Sequence, residues 1–481
     1  MTRRGGSRLA NEEWKEAVEA VYRAKLESGE TPGLSAGVVI AGGASHFINL
    51  GFADVAAGRP ATPNLVFRIA SMTKVFTALA ALILRDERAL NLEDRVDQHV
   101  PEAVGLVPDT SDCGPPTLRS LLNHTAGFVT DDPWADRCLG MEGAGFSDLL
   151  AGGGLFARPA GLAFEYSNLG YAVLGRAIAR ASGMPVQRFI KSRILDPLGM
   201  NETSFDILAI APERRAVGYR RSGSEWVEEQ LEPDGEFAAM GGLATTPADY
   251  ARFVSFLLDA WPPRKGADAG PLRRSSVREL GMLCGPPLLP RIHEREGERI
   301  AIGAAYGLGM VAVQDSVLGS YLHHSGGLPG WGSNVLVSPE TGVGLFAFAN
   351  ATYVAPFDAN WRAAAAMKAA DVWGKSVEPI DVRLERAAGA VLAAYRAGSI
   401  SPVAALSAIN LLADQAPEAR ERELCELIGK LGAVMSSRLE PRHALAGALS
   451  MDCERGSVRV EIALAPGPRG QIQAMEWDAP K

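Results

Sequence analysis

The chain has 481 residues, of which 47% are hydrophobic and 22% charged, ordinary values for a globular protein. Its length exceeds what one compact core accommodates and predicts two or three domains. The formal net charge of -8 is spread along the chain, and no long Lys/Arg run occurs. We therefore expect neither nucleic acid nor an acidic membrane surface as a partner.

The N-terminal segment and the apolar runs bear on where the protein resides. Arg3 and Arg4 are not followed by an apolar stretch of the length that a signal peptide requires. No apolar run approaches the length of a membrane-spanning helix, so we expect no membrane span. A cytoplasmic protein is the simpler expectation, and a chain that begins after a removed signal is the alternative.

Cysteine and histidine usage gives no sign of a metal site or a disulfide framework. The five cysteines are odd in number, far apart and without C-x-x-C spacing. The seven histidines include no H-E-x-x-H pair. His323 and His324 are adjacent, so in a strand they point to opposite faces and cannot bind one ion together. The sequence implies no metal and no cofactor.

The elements predicted along the chain suggest a sheet built from both ends of one domain. A helix around Trp14, a long apolar helix at Met72–Asp86 and a helix around Trp361 are separated by strands and by a helix-rich middle at about 90–258. The predicted strands are Gly33–Ala41, Ser45–Gly51, Gly307–Gln314, Ser320–His324, Ser333–Val337 and Gly342–Asn350. We predict an α+β fold with about five antiparallel strands flanked by helices and a helical subdomain over one end.

A change of composition at Ser376–Val382 predicts a linker between two domains. The main domain would comprise residues 1–375, with the helical subdomain within about 90–258. Residues 376–481 combine Ala-rich helical patterns with two or three strands and predict a small α+β domain. This domain could cap a cleft, mediate dimerisation or bind a ligand, and its sequence does not choose among these roles.

The first motif with chemical content is Ser71-Met72-Thr73-Lys74, at the start of the long apolar helix. Serine and lysine three residues apart lie on one helix face. The positive end of the helix favours a developing alkoxide at Ser71, and an ammonium in a dry pocket has a depressed pKa, so Lys74 could act as a base. The alternative for the isolated motif is a serine N-cap followed by a solvated lysine.

Two further motifs lie far from the first in sequence. The second motif is Tyr166-Ser167-Asn168. If Tyr166 lies close to a lysine, its phenol could have a lowered pKa and exchange protons with Ser71. The third motif ends a predicted strand and consists of His324, Ser325, Gly326 and Gly327. Small residues there let the backbone approach a ligand, and the N–H groups of Gly327 and Ser71 could form an oxyanion hole. Each motif alone also fits a bonded buried tyrosine or a plain glycine turn.

Two other candidates are interpreted as structural. Gly33-Leu34-Ser35-Ala36-Gly37 fits the nucleophile elbow G-x-S-x-G, but a strand rather than a helix follows it. We therefore predict Ser35 to be an ordinary strand residue. His124, in Asn123-His124-Thr125, is predicted to organise a loop and not to act as a catalytic base.

The order and separation of the three motifs resemble the serine β-lactamase and penicillin-binding protein superfamily, in its class C and S12-peptidase-like branch. That branch combines S-x-x-K with Y-x-N and a K/H-[ST]-G strand. The resemblance extends over about residues 31 to 374. Supporting segments are Phe67–Ala70, Leu92–Val96, Thr117–Phe128, Pro197–Phe205 and Gly241–Tyr250.

The resemblance implies a β-lactamase/transpeptidase-like fold and assigns roles to the motif residues. Ser71 would be acylated with Lys74 beside it, Tyr166 would serve as general base or acid, and Asn168 would support the substrate and Lys74. His324 stands where class C β-lactamases keep a lysine, and with Ser325, Gly326 and Gly327 it would bind substrate. A largely neutral histidine grips a β-lactam carboxylate less well than lysine, so we expect weak or no β-lactamase activity.

The expected function is a serine hydrolase that acts through an acyl-enzyme on a small ester or on an amide containing a D-amino acid. Esters are slightly favoured, because a cytoplasmic location argues against a peptidoglycan role. Acyl transfer to a small alcohol or amine at the same site is one alternative. A non-catalytic binding or scaffolding protein with this fold is the other. A small-molecule substrate is the expected partner, and homo-oligomerisation stays open.

Overall fold

The computed structural model describes residues 6–106, 113–282, 287–295, 298–374 and 380–478. The chain separates into two compact units, Met1–Ser376 and Val377–Lys481. Most of the predicted linker at Ser376–Val382 lies outside the described residues. Within the described ranges, no helix is both long enough and apolar enough to cross a membrane.

The first unit is built on a nine-stranded antiparallel sheet with the strand order β3-β2-β1-β13-β12-β11-β10-β9-β8. The two ends of the unit meet where β1 pairs with β13, as in Leu34 opposite Ala349. Two short strand pairs, β4 with β7 and β5 with β6, lie outside this sheet. The strands are β1 Gly33–Ile40, β2 His46–Asp54, β3 Arg59–Pro60, β4 Phe67–Arg68, β5 Tyr219–Ser222, β6 Glu225–Glu228, β7 Ala244–Thr245, β8 Pro287–Arg295, β9 Glu298–Tyr306, β10 Val311–Asp315, β11 Gly319–Leu328, β12 Trp331–Ser338 and β13 Val343–Ala349.

Helices pack on both faces of this sheet. On the central strand β13, Leu345 packs in an apolar cluster with the first and last helices of the unit, α1 and α11. Phe346 packs in a second apolar cluster with helices from the middle of the unit, such as α2 and α9. Because successive side chains of a strand point to opposite faces, both faces are apolar and β13 is buried throughout. The helices are α1 Gly6–Glu27, α2 Thr73–Asp86, α3 Val96–His99, α4 Leu118–Leu122, α5 Gly143–Gly152, α6 Asn168–Ser182, α7 Val186–Ile190, α8 Ala238–Gly241, α9 Pro247–Asp259, α10 Arg274–Arg278 and α11 Phe357–Ala369.

The second unit has its own sheet and its own core. Four antiparallel strands in the order β14-β15-β16-β17 pack against helices. Their shared core contains Leu384, Val391 and Leu424 from the helices and Val460 from β16. The elements are α12 Val382–Ala397, α13 Ser401–Ala404, α14 Leu411–Asp414, α15 Pro417–Leu431, β14 Val434–His443, β15 Ala446–Cys453, β16 Gly456–Leu464 and β17 Ile472–Asp478. This is an α+β arrangement, as the sequence predicts.

The predicted fold class is confirmed, but the predicted number of strands is wrong. The sheet has nine strands instead of about five, and β3, β8 and β9 were not expected. In β9 the exposed Arg299 and Ala301 flank the buried Ile300, and the strand is rich in alanine and glycine. One-sided burial near a sheet edge gives a weak strand signal in the sequence. The strand predicted at Gly307–Gln314 begins only at Val311.

Candidate active site

Ser71 lies in a strained turn between β4 and α2. The turn is a 3₁₀-helix at Ala70–Met72, and Ala70 adopts a φ of 49°, which is uncommon for a residue other than glycine. The Ser333 hydroxyl on β12 donates a hydrogen bond of 2.7 Å to the Ile69 carbonyl and anchors the turn from the sheet. The N-cap of α2 is Met72, and it makes no side-chain capping bond. The alternative interpretation of Ser71 as a plain helix cap is therefore wrong.

Lys74 is fully buried and holds Ser71 at hydrogen-bond distance. Its Nζ donates to Ser71 Oγ at 3.0 Å, to Asn168 Oδ1 at 2.7 Å and to the Met240 carbonyl at 2.8 Å. Burial lowers the pKa of the Lys74 ammonium to about 8, and nearby carboxylates, Asp132 first, oppose this shift. The alternative of a solvated lysine is wrong as well, since its exposed fraction is 0%.

Tyr166 lies next to both Ser71 and Lys74, in the loop that leads into α6. Its ring centroid is 5.0 Å from Lys74 Nζ, and its hydroxyl shares a hydrogen bond with Ser71. Burial raises the pKa of the phenol well above its ordinary value, although the bond with Ser71 acts in the opposite direction. The expectation that the neighbouring lysine lowers this pKa is therefore wrong, because loss of hydration of the phenolate dominates.

Asn168 is held between Lys74 and two aspartates. Asp131 accepts the backbone N–H groups of Asn168 and Leu169, both at 2.7 Å, and so fixes the first turn of α6. The Asn168 Nδ2 group donates to Asp132 Oδ1. This bond leaves the amide oxygen, Oδ1, facing Lys74. The predicted contact between Asn168 and Lys74 is confirmed.

His324 is a buried, neutral member of the third motif on β11. Its Nε2 lies 2.8 Å from the Tyr306 hydroxyl, and its Nδ1 lies 2.6 Å from the Ser325 carbonyl. A carbonyl only accepts, so Nδ1 carries the proton and Nε2 accepts from Tyr306. Burial and then the charge of Lys74 lower the pKa of His324 to about 3. The neighbouring His323 packs on Phe357 at 4.9 Å between ring centroids.

Gly326 lets β11 run directly along the Ser71 turn. A Cβ at this position would collide with the Ile69 carbonyl and with Ser333 Oγ. A Cβ on Gly327 would lie 2.8 Å from the ring of Tyr353. Close approach to backbone therefore requires glycine at Gly326, whereas Gly327 abuts the half-exposed Tyr353 ring.

The two candidates interpreted as structural have structural contacts. Ser35 lies inside β1, is buried and donates a hydrogen bond of 3.0 Å to Asn49 Oδ1, so its interpretation as a strand residue is confirmed. His124 has a φ of 58° and accepts the Ser167 backbone N–H on Nδ1 at 3.1 Å. Its ring lies 4.3 Å from that of Tyr166, so it braces the loop that carries this residue.

These side chains surround a cavity of about 370 Å³. Six of the eight predicted site residues line it, and Lys74 and Asn168 lie behind its wall. The predicted residues that line it are Ser71, Tyr166, His324, Ser325, Gly326 and Gly327. Sequence reasoning did not find the other lining residues, which are Asp132, Asp136, Phe164, Tyr306, Val311, His323, Tyr353 and Ala355. For Asp132 and Asp136, the available sequence signal was the presence of three aspartates within the six residues 131–136.

A second cavity, of about 890 Å³, lies elsewhere and contains none of the motif residues. Its wall includes Arg176, which is paired with Glu102 and Glu236. Its serine, Ser147, donates to the Gly143 carbonyl and accepts from Arg176, and no lysine or histidine is among the described residues that line this cavity. Because no base lies beside that hydroxyl, we place the candidate site at the smaller cavity around Ser71.

The family model described as Beta-lactamase matches residues 18–369 of the chain, which is most of its length. The chain belongs to the Beta-lactamase family. This match covers the whole nine-stranded sheet and all of the residues around Ser71. The mixed helix and antiparallel-sheet architecture predicted from the motifs is the one that similar solved structures share.

Two relatives show how far the sequence similarity extends. Protein flp of Staphylococcus aureus (strain NCTC 8325 / PS 47) is 28% identical over 347 residues, which are 71% of this chain and 64% of that protein. Penicillin-binding protein 4* of Bacillus subtilis (strain 168) is 35% identical over 184 residues, 36% of this chain and 38% of that protein. The chain thus spans less than two thirds of the length of these relatives.

Two solved structures share the fold at low sequence identity. An octameric penicillin-binding protein homologue from Pyrococcus abyssi superposes with a TM-score of 0.60 and 20% identity, covering 94% of each chain. A class C β-lactamase from Rhodobacter sphaeroides gives a TM-score of 0.56 and 19% identity, covering 73% of this chain and 98% of that one. The first of these similarities extends into the second unit of the chain.

Proposed function

We propose that the protein is a serine hydrolase that acts on a small ester or amide through an acyl-enzyme on Ser71. The observation that carries the proposal is the bond of 3.0 Å between Ser71 Oγ and the fully buried Lys74 Nζ. A lysine with a pKa of about 8 is partly neutral near neutral pH and can accept a proton. A serine activated by an adjacent base in a cleft is the arrangement that nucleophilic catalysis requires.

In the proposed mechanism, neutral Lys74 takes the hydroxyl proton as Ser71 Oγ attacks the carbonyl carbon. The backbone N–H groups of Ser71 and Gly327 stabilise the resulting oxyanion, since β11 runs beside the Ser71 turn. Tyr166 stays protonated and donates its hydroxyl proton to the leaving oxygen or nitrogen, after which the proton held by Lys74 restores it. Asn168 keeps Lys74 in place through its amide oxygen. Water then attacks the acyl-enzyme by the reverse sequence.

Among substrates, we propose small esters first and amides containing a D-amino acid second. Weak or no β-lactamase activity is proposed because His324 is neutral and bonded to Tyr306 and Ser325. A β-lactam carboxylate gains little from such a group. Asp132 and Asp136 on the cavity wall would repel an anion further.

The test is intact-protein mass spectrometry after treatment with a fluorophosphonate, followed by peptide mapping. We expect one adduct, on the Ser71 peptide, that is lost in Ser71→Ala. The matched control is Ser35→Ala, which removes the serine of the G-x-S-x-G segment and should label as the parent protein does. Absence of an adduct from the folded protein would refute the hydrolase proposal, and the non-catalytic binding protein would then be favoured. Loss of the adduct in Ser35→Ala would show that Ser71 is wrongly assigned as the nucleophile.

Acyl transfer is separated from hydrolysis by product analysis. The acyl-enzyme formed from p-nitrophenyl butyrate would be intercepted by added methanol or by a small amine if transfer dominates. We expect free butyrate as the main product at millimolar acceptor. A methyl ester as the main product would replace the hydrolase proposal with a transferase at the same residues.

We also propose that the protein forms a homo-oligomer. The Pyrococcus abyssi homologue is described as octameric, and its similarity includes the second unit of this chain. Size-exclusion chromatography with light scattering tests this proposal. A monomer mass at micromolar concentration would refute it.

A further inference from the structure

Tyr353 lies on the wall of the active-site cavity in a backbone conformation that a tyrosine rarely adopts. Its φ is 60°, in the left-handed region, where glycine and asparagine are the usual residues. Four other described residues besides the glycines share this feature. Arg88 and Asp371 follow the ends of α2 and α11, whereas Ala70 and His124 lie at the active site with Tyr353. Backbone strain of this kind persists where the surrounding structure enforces it, and it gathers at functional sites.

Hydrogen bonds hold the loop that carries Tyr353 in this conformation. The Tyr353 N–H donates to the Trp331 carbonyl at 3.2 Å, and the Tyr353 carbonyl accepts the Ala355 N–H at 3.0 Å. The preceding residue, Thr352, donates both its N–H and its hydroxyl to the Tyr219 carbonyl, at 2.8 Å and 3.1 Å. The loop is therefore fixed on both sides of Tyr353, and the direction in which the ring leaves the backbone is set in advance.

The Tyr353 side chain contacts two separate parts of the cavity wall. Its ring lies so close to β11 that a Cβ on Gly327 would be 2.8 Å from the ring atom Cδ1. Its hydroxyl shares a hydrogen bond with the carboxylate of Asp136, in the 3₁₀-helix Ala135–Arg137. Because Gly327 supplies an N–H group to the proposed oxyanion hole, the ring bounds the cavity beside the place where a substrate carbonyl would lie.

Packing alone does not account for a tyrosine at this position. Glycine adopts a φ of 60° without steric cost, and asparagine tolerates it. The Tyr353 side chain is 46% exposed, so it buries less apolar surface than a tyrosine of the core does. A strained and half-exposed residue on a cavity wall indicates that its side chain serves the site.

We propose that the Tyr353 ring sets a size limit on the substrate by restricting the part that lies beside Gly327 to small groups. This inference rests on the proposed hydrolase function and names a residue that determines its specificity. The ring takes no part in the making or breaking of bonds. The acyl chain and the leaving alcohol are the two parts of an ester that can meet the ring, so the experiment varies each in turn.

The experiment compares a small and a large ester in each of two series. The acyl series is p-nitrophenyl acetate and p-nitrophenyl octanoate, and the alcohol series is phenyl acetate and 2-naphthyl acetate. The measured quantity is kcat/KM for the large ester divided by kcat/KM for the small one, at one pH. In Tyr353→Gly we expect this ratio to rise by about tenfold to two-hundredfold in at least one series, the range for a changed fit in an apolar pocket.

The ratio also removes an indirect effect of the substitution on the general rate. Tyr353 contacts Asp136, and Asp136 raises the pKa of Lys74. A change in the pKa of Lys74 alters kcat/KM for both esters of a pair, whereas removal of the ring acts on the large ester alone.

Three further variants separate the bulk of the ring from other consequences of substitution. Tyr353→Phe keeps the ring and should keep the parental ratio. Asp371→Gly relieves a φ of 59° at an exposed position that does not line the cavity, and it should keep the ratio as well. Tyr353→Asn tolerates the loop conformation and should raise the ratio as glycine does, which covers the case that glycine loosens the loop. Circular dichroism checks the fold of each variant.

A second readout does not depend on turnover. Calorimetric titration of the full chain with benzyl alcohol and with 2-naphthalenemethanol compares a smaller and a larger neutral ligand. We expect the larger alcohol to gain affinity relative to the smaller one in Tyr353→Gly and not in Tyr353→Phe.

The outcomes separate this inference from the function on which it rests. If the esters are hydrolysed through Ser71 and Tyr353→Gly keeps the parental ratio in both series, the hydrolase stands and the inference is overturned. A ratio raised equally in Tyr353→Phe would overturn it as well, because the ring is still present. If no fluorophosphonate adduct forms, the hydrolase proposal fails and the titration alone decides. Equal relative affinities in the parent protein and in Tyr353→Gly would then overturn the inference too.

Discussion

The dependence of the rate on pH is the most direct check of the role proposed for Lys74. Its pKa falls from 10.5 to about 8 because the ammonium is buried. That shift corresponds to about 3 kcal/mol at ~1.4 kcal/mol per pKa unit. At pH 7 it raises the neutral fraction from roughly one in three thousand to roughly one in ten. Because neutral lysine is the proton acceptor, kcat/KM should rise with pH and level off above about 8.

The assay is hydrolysis of p-nitrophenyl butyrate between pH 5.5 and 9.5, corrected for the spontaneous reaction measured with Ser71→Ala. In Asp136→Asn a carboxylate that raises the Lys74 pKa is removed, so the inflection should move to lower pH. The control Asp148→Asn, on the exposed surface of α5, should leave the inflection in place. An inflection near 10, or a shift to higher pH in Asp136→Asn, would refute the assignment of Lys74 as the base.

Three further outcomes test the surroundings of Ser71. Tyr166→Phe should retain the fold by circular dichroism and lower kcat/KM by about a hundredfold to ten-thousandfold, and a loss below threefold would exclude it as a proton donor. Gly326→Ala should lower the free energy of unfolding in urea by about 1–3 kcal/mol, since its methyl group meets the Ile69 carbonyl, and unchanged stability would contradict that packing. His124→Leu leaves the buried Ser167 amide without an acceptor and should cost about 1–3 kcal/mol in the same assay, whereas parental stability would mean that the amide finds another partner.

The elements that the sequence predicted well are those whose local signals agree with their burial. The apolar run at Met72–Asp86 gives α2 within one residue, and the strand predicted at Gly342–Asn350 gives β13 within one residue at each end. The strands β8 and β9 were not predicted, because a strand near a sheet edge buries one side only and carries charged residues on the other. Their place in the sheet follows from the pairing of β9 with β10 and of β8 with β9, which no local pattern encodes.

The sequence by itself determined the fold class, the order of the three motifs and the residues expected around Ser71. These follow from the types of residue and their spacing, which are properties of the sequence and do not depend on how the chain folds. Only the tertiary structure decided that the pKa of Tyr166 is raised and that Lys74 has a third partner, the Met240 carbonyl. It also decided that the carboxylates of Asp132 and Asp136 line the cavity. Each of these depends on hydration lost in burial or on groups brought together from distant parts of the chain, and neither quantity has a local signature.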